Sequence, residues 1–186
     1  MAGVDYFLKI DGIDGESTDD KHKGEIVIES FSWGETNAGS AAHGGGGGGG
    51  AGKVSPQDFH FVKHFDKASP KLFLACASGE HIKQAVLTVR KAGGEQQDFL
   101  KWTLSDCVVI SYETGGNKVA VLESSGDKEE PKPEVTAVRN AELSTPADEF
   151  ILDFAKLEVS YFTQNADGRL GTEEKAGWDF RANKKV

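Results

Sequence analysis

Only one stretch of the chain, residues 66–79, carries the signals of a helix, and nothing else limits the possible folds as sharply. Within Asp66-Lys67-Ala68-Ser69-Pro70-Lys71-Leu72-Phe73-Leu74-Ala75-Cys76-Ala77-Ser78-Gly79, Ser69 is placed to cap the first turn. Pro70 has no N–H to leave unpaired there, and Gly79 can close the end in a left-handed conformation. Leu72, Phe73, Ala75 and Cys76 form a short apolar stripe over 69–78. A helix of about two and a half turns does not hold alone in water. It needs strands to pack on, and the rest of the chain reads as strand or turn.

Val4, Tyr6, Leu8 and Ile10 alternate with polar residues as a first strand. From Ile26 and Ile28 to Phe31 and Trp33 the apolar parity changes, as a bulge near Glu29-Ser30 would produce. The same change separates Phe150, Leu152 and Phe154 from Leu157, Val159 and Tyr161. Two long bulged strands imply curved sheets that close on themselves. Phe59, Phe61 and Phe65 mark a strand leading to the helix, and Ala85, Leu87 and Val89 mark one ending at Ala92-Gly93-Gly94. Leu100, Trp102 and Leu104 mark the next, which runs on through Cys107-Val108-Val109-Ile110. Residues 176–182, with Trp178 and Phe180 on one face, finish the sheet. The expected fold is mainly β: a closed barrel of two curved antiparallel sheets in a single domain, 1–186. It has one flanking helix at 69–78, a glycine-rich extended loop at 36–55 and an added hairpin at 116–147, whose tip at 124–133 is charged and proline-rich.

The loop holds His43, then Gly44, Gly45, Gly46, Gly47, Gly48, Gly49 and Gly50, then Ala51-Gly52-Lys53. Ordering backbone costs about 1–2 kcal/mol per residue, and glycine loses most, so docking onto a partner is the natural way to order such a segment. A net charge of −9 argues against nucleic-acid or anionic-membrane binding. The charge is uneven: residues 1–35 hold nine acids and three bases, whereas 53–101 hold five acids and eight bases. Such segregation favours head-to-tail association of like subunits. Cys76 and Cys107 lie in apolar segments without paired spacing, as free thiols in a reducing compartment do. No secretory signal and no transmembrane stretch is visible, so export would need another route.

Chemistry has little footing. Gly47 to Lys53 matches the spacing of a phosphate-binding loop, but Val54 stands where Ser or Thr would hold magnesium, and a strand pattern follows instead of a helix. The carboxylates of residues 11–20 do not have the spacing of a calcium loop. His60 and His64 share a strand face without further ligands at metal-binding spacing, and His22 and His81 sit in turn-like surroundings without a nucleophile motif. We expect no catalytic residue, no metal and no cofactor.

The residues do resemble a family. Asp5-Tyr6-Phe7-Leu8-Lys9-Ile10 with Gly15-Glu16-Ser17, Ser32-Trp33-Gly34, Ala51-Gly52-Lys53-Val54, Asp66-Lys67-Ala68-Ser69-Pro70 and Ala75-Cys76-Ala77-Ser78-Gly79-Glu80-His81 are similar to the haemolysin-coregulated proteins (Hcp) of type VI secretion systems. The likeness continues in Leu87-Thr88-Val89-Arg90-Lys91-Ala92-Gly93-Gly94, Leu152-Asp153-Phe154-Ala155-Lys156 and Ala176-Gly177-Trp178, and so spans nearly the whole chain. It implies a β-barrel with one helix, a homo-hexameric ring and stacking of rings into the inner tube. The implied partners are the spike protein, the contractile sheath and effector proteins carried in the lumen. It also implies residence in the bacterial cytoplasm before firing, and secretion without a signal peptide or membrane insertion. On that view Gly44 to Gly50 and Lys53 reach a neighbouring subunit, and Ser32, projecting opposite Phe31 and Trp33, faces the lumen. The segment 116–147 is longer than the usual family connection. The rival expectations are a monomeric β-barrel binding module for a small ligand or sugar, and a nucleotide enzyme using Lys53.

Overall fold

A computed structural model describes residues 4–37, 54–91, 96–116, 146–165 and 169–186. The glycine run with Lys53, and nearly all of the expected hairpin at 116–147, lie outside these residues. The described chain is a strand protein with one helix: β1 (Val4–Ile10), β2 (Ile26–Ile28), β3 (Ser30–Ser32), β4 (Glu35–Asn37), β5 (Val54–Pro56), β6 (Phe59–His64), α1 (Ser69–Ser78), β7 (His81–Lys91), β8 (Gln97–Gly115), β9 (Ala147–Asp153), β10 (Lys156–Gln164), β11 (Leu170–Asp179) and β12 (Lys184–Lys185).

All of the strand pairings are antiparallel. They run β2-β1-β7-β8-β9-β6-β3 and return to their start, because β2 and β3 are consecutive pieces of one segment divided at Glu29. Glu29 N–H donates to Val62 O at 2.8 Å and holds the division against β6. The parity change read from residues 26–33 is this division, with Ile26 and Ile28 buried before it and Phe31 packed against the core after it. A second sheet portion, β10-β11-β12, branches from the first half of β8.

The long β8 belongs to both portions, and it changes hands at Asp106, a non-glycine residue with φ 56°. Its first half pairs with β7 and β10 and its second half with β9. At the same level the pairing along β8 is interrupted between β9 and β10: Ala155 N–H donates to Ser105 O at 3.0 Å, and Phe180 N–H donates to Ala155 O at 2.9 Å. Residues 150–162 thus run along one edge of β8, in a single register over 152–161, interrupted at Phe154-Ala155, where the far-side partner changes from β6 to β11. Their parity change marks a break in pairing that periodicity alone cannot separate from a bulge.

The core fills the ring of strands. Trp33, Phe59, Phe61 and Phe150 stack in series, with centroids 5.8, 5.5 and 5.1 Å apart. Such pairs add about 0.5–1.5 kcal/mol each beyond their burial. Phe65, expected to continue this strand face, is 47% exposed, because β6 ends at His64 and the chain turns toward the helix.

The helix begins and ends where expected, and Gly79 takes the left-handed conformation at φ 65°. Its start is built differently. Ala68 is the N-cap, and Ser69 lies inside the first turn, where its Oγ accepts from Asp66 N–H at 3.0 Å, ahead of the helix, and from no N–H of the helix itself. Asp66 Oδ1 instead accepts from Ala68 N–H at 2.9 Å. The Ser69 hydroxyl is claimed by a buried cation: Lys63 Nζ, with no exposed surface, donates to Ser69 Oγ (2.8 Å), Asp66 Oδ1 (2.7 Å) and His64 O (2.8 Å), and pairs with Asp148 Oδ2 at 3.0 Å. Ser69 Oγ in turn donates to Asp148 on β9. The buried stripe of α1 is Ser69, Leu72 and Ala75, whereas Phe73 points outward at 58% exposure and lies edge-on to the Tyr112 ring.

Candidate functional site

Alternation along β3 puts Phe31 inward and Ser30 and Ser32 outward. Ser32 thus faces away from Phe31, as the sequence predicts. Register carries this position across the sheet: Ser32 lies opposite His60, His60 opposite Ile151, and Ile151 opposite Ser111. The next rank is Ser30, Val62, Glu149 and Glu113. The result is a continuous outer face over β3, β6, β9 and the second half of β8.

The face is acidic. None of its outward ladder positions holds Lys or Arg, and Lys63, the one lysine of β6, points into the core. His64 Nε2 lies 3.4 Å from Glu29 Oε1, both half-exposed. Asp58, just before β6, is pushed above the usual aspartate range, first by partial burial and then by the nearby Asp153 carboxylate, with His60 working against both. His60 and His64 do share this face, as their spacing indicates. Among the described residues no group of three or more His, Cys, Asp or Glu side chains is arranged to hold a metal.

The base of the glycine-rich segment is a two-stranded ladder in which Glu35, Thr36 and Asn37 pair with Pro56, Ser55 and Val54. The expected loop at 36–55 therefore begins and ends as strand. Val54 opening a strand also removes the helix that a phosphate loop requires. Gly44 to Gly50 and Lys53 lie outside the described residues. Beside this base runs a groove of about 440 Å³, walled by Trp33, Trp102, Trp178 and Phe180 with Leu157 and Val159. The indole N–H groups of all three tryptophans are buried and have no hydrogen-bond partner among the described residues.

One cluster was invisible in the sequence. His22 sits in a bend, as its surroundings indicate, but is buried there: its Nδ1 lies 2.9 Å from Glu25 and its Nε2 3.1 Å from Asp98, and the ring stacks on Phe7 at 4.3 Å. The Arg90 guanidinium lies 4.7 Å from the centre of the Phe7 ring and pairs with Asp19 (2.8 Å) and Asp5 (3.3 Å). This arrangement fastens the loop after β1 onto β7 and β8. The aspartates of that loop, which invited a calcium reading, are engaged in part by Arg90. Alternation gave a signal only at Phe7, an apolar residue on the polar side of β1. Cys107 is a buried free thiol whose pKa burial pushes up to about 12, and Cys76 is half-buried and free.

This is an antiparallel β-barrel module with one packed helix, whose features lie on faces and edges more than in an enclosed pocket. The family described as type VI secretion system effector, Hcp, matches residues 7–161. Protein hcp1 of Pseudomonas aeruginosa PAO1 is 42% identical over 182 residues, covering 97% of each chain. Hcp1 from Salmonella typhimurium superposes with a TM-score of 0.71 at 35% identity over 100% of both chains. The structure described as that of a type six secretion system protein gives 0.80 at 26% identity over 99% of this chain and 100% of its own. The chain belongs to the Hcp family, the tube proteins of type VI secretion systems.

Proposed function

We propose that the protein is the ring-forming subunit of a type VI inner tube, a homo-hexamer whose rings stack and carry effector proteins in the lumen. The observation that carries this is the 42% identity to Protein hcp1 running end to end, with 97% of both chains aligned. The role is structural, not enzymatic. Spike and sheath are the partners at the tube's end and outside, and the protein leaves the cytoplasm with the machine. Within the ring, the Ser32 face of β3, β6 and β9 lines the lumen, and Gly44 to Gly50 with Lys53 reach the neighbouring subunit or ring. The continuity of that face supports the first assignment: a strand face shared by six copies can line a channel without interruption.

Light scattering across a size-exclusion peak, with negative-stain images of the same fraction, tests the assembly. Six subunits per particle with ring-shaped images is the expected result, and a strict monomer at high concentration rejects it in favour of a binding module. Replacing Ser32 with a bulky acid should reduce effector co-purification while leaving ring mass unchanged. Undiminished co-purification would count against the lumen assignment.

A further inference from the structure

The two outer sheet faces differ in charge: one is of a single sign and the other mixed. The face that bears Ser32 presents Glu29, Asp58, Glu113, Glu149 and Asp153 with no cation but histidine on its outward ladder positions, whereas the face over β1, β7, β10 and the first half of β8 mixes both signs, with Lys101 3.5 Å from Asp98 and Lys156 3.2 Å from Glu158. Three of the acids lie on β8 and β9 and two on the connections entering β3 and β6, so the negative potential covers the face and is not confined to one loop. Between them lie Ile151 in the Ser32 rank and Val62 in the Ser30 rank, both only partly covered, so the face offers apolar contact as well as charge.

We propose that the Ser32 face is a docking surface for a basic polypeptide, a cargo segment rich in Lys or Arg and interleaved with apolar residues. The inference rests on the lumen assignment above and adds the chemistry of what is carried. A cationic partner gains long-range attraction on approach and relieves carboxylates held near one another, as Asp153 is beside Asp58. An acidic partner meets repulsion from the same groups. Interaction of this kind is screened by salt, as reversible loading and release requires.

The test uses the full chain in its assembled state and two labelled peptides of equal length, one alternating Lys with Val and the other Glu with Val, read by fluorescence anisotropy at low and high salt. Glu29→Lys/Glu113→Lys alters the face, and Asp20→Lys in the loop after β1, doubled with Glu80→Lys, makes the same change of net charge elsewhere. The expected result is binding of the Lys-Val peptide alone, weakened about tenfold or more by the face variant, little affected by the control variant and lost at high salt. Equal weakening by both variants would mean that overall charge attracts the peptide, and would overturn the proposal. So would preferential binding of the Glu-Val peptide. Light scattering on the same samples separates the two readings: wild-type protein that stays monomeric refutes the tube reading whatever the peptide does. A face variant that alone loses its ring mass marks the face as a contact between copies and overturns the docking proposal.

Discussion

Lys63 shows how far a single side chain can reorganise what its neighbours do. A charged ammonium with no exposed surface is tolerable only when its protons find oxygens and its charge finds a carboxylate, and Lys63 has Asp66, Ser69, the His64 carbonyl and Asp148 for this. The sequence reading of Ser69 as a cap failed for that reason. The propensity is real, but the hydroxyl serves a buried cation and a residue 79 positions away, which no local pattern reveals. Lys63→Met should cost about 3–5 kcal/mol, because it leaves Asp148 buried without its countercharge. Lys63→Met combined with Asp148→Leu should recover much of the loss, and urea unfolding of the two variants measures the difference. Two aspartates set the acid limit. Burial works to raise Asp148, but hydrogen bonds from Ser69, Lys63 and Thr114 outweigh it and hold its carboxyl below the ordinary range. The Arg90 hydrogen bond brings Asp19 from 3.8 down to about 2 against the opposing effect of burial, helped by the N–H groups of Lys21 and His22. Both carboxylates titrate lower in the folded state than in the unfolded one, so their contribution is complete above the ordinary aspartate range and is lost as pH falls through it. Stability should decline between about pH 4 and pH 2, and Asp19→Asn should flatten part of that slope in denaturant midpoints taken across the range.

At the scale of elements, apolar alternation located β1, β6, β7, β8 and the end of β11, and the helix limits came from a proline and a glycine. What alternation could not show was partner choice. The residues from 150 to 162 keep strand character along one edge of β8, yet β9 and β10 separate at Phe154-Ala155, opposite the positive-φ Asp106, where their far-side partner changes from β6 to β11. The two glycines that punctuate these elements differ physically, and so should their variants. Gly79 has φ 65° and open space around the position a Cβ would take, so Gly79→Ala costs only backbone strain, about 1–2 kcal/mol. At Gly15 a Cβ would stand 2.4 Å from the Glu25 carbonyl oxygen, inside the turn where Gly15 N–H donates to Gly24 O. Gly15→Ala should therefore displace the strand entry at Ile26 and destabilise more than Gly79→Ala does. Thermal unfolding of the pair gives the order directly.

For the whole molecule, the ring of pairings and the glycine-rich segment are separable, and that makes the segment testable. Asn37 and Val54 already face each other across the β4-β5 ladder, so the chain between them can be replaced by a two-residue Asn-Gly turn without disturbing any pairing in the main sheet. A shorter loop also costs less to close, although the dependence on length is slow. If residues 38–53 served the barrel itself, this replacement would lower the unfolding midpoint. If they serve contacts between subunits, the midpoint stays where it was while assembly changes. We expect the second outcome: wild-type denaturant unfolding of the subunit, with stacking of rings lost in negative-stain images. A variant that keeps Gly44 to Gly50 but carries Lys53→Glu divides the question further. Loss of stacking there assigns the contact to charge at Lys53, and retained stacking assigns it to the backbone of the glycine run, which without side chains can lie against a neighbour's sheet edge and pair with it.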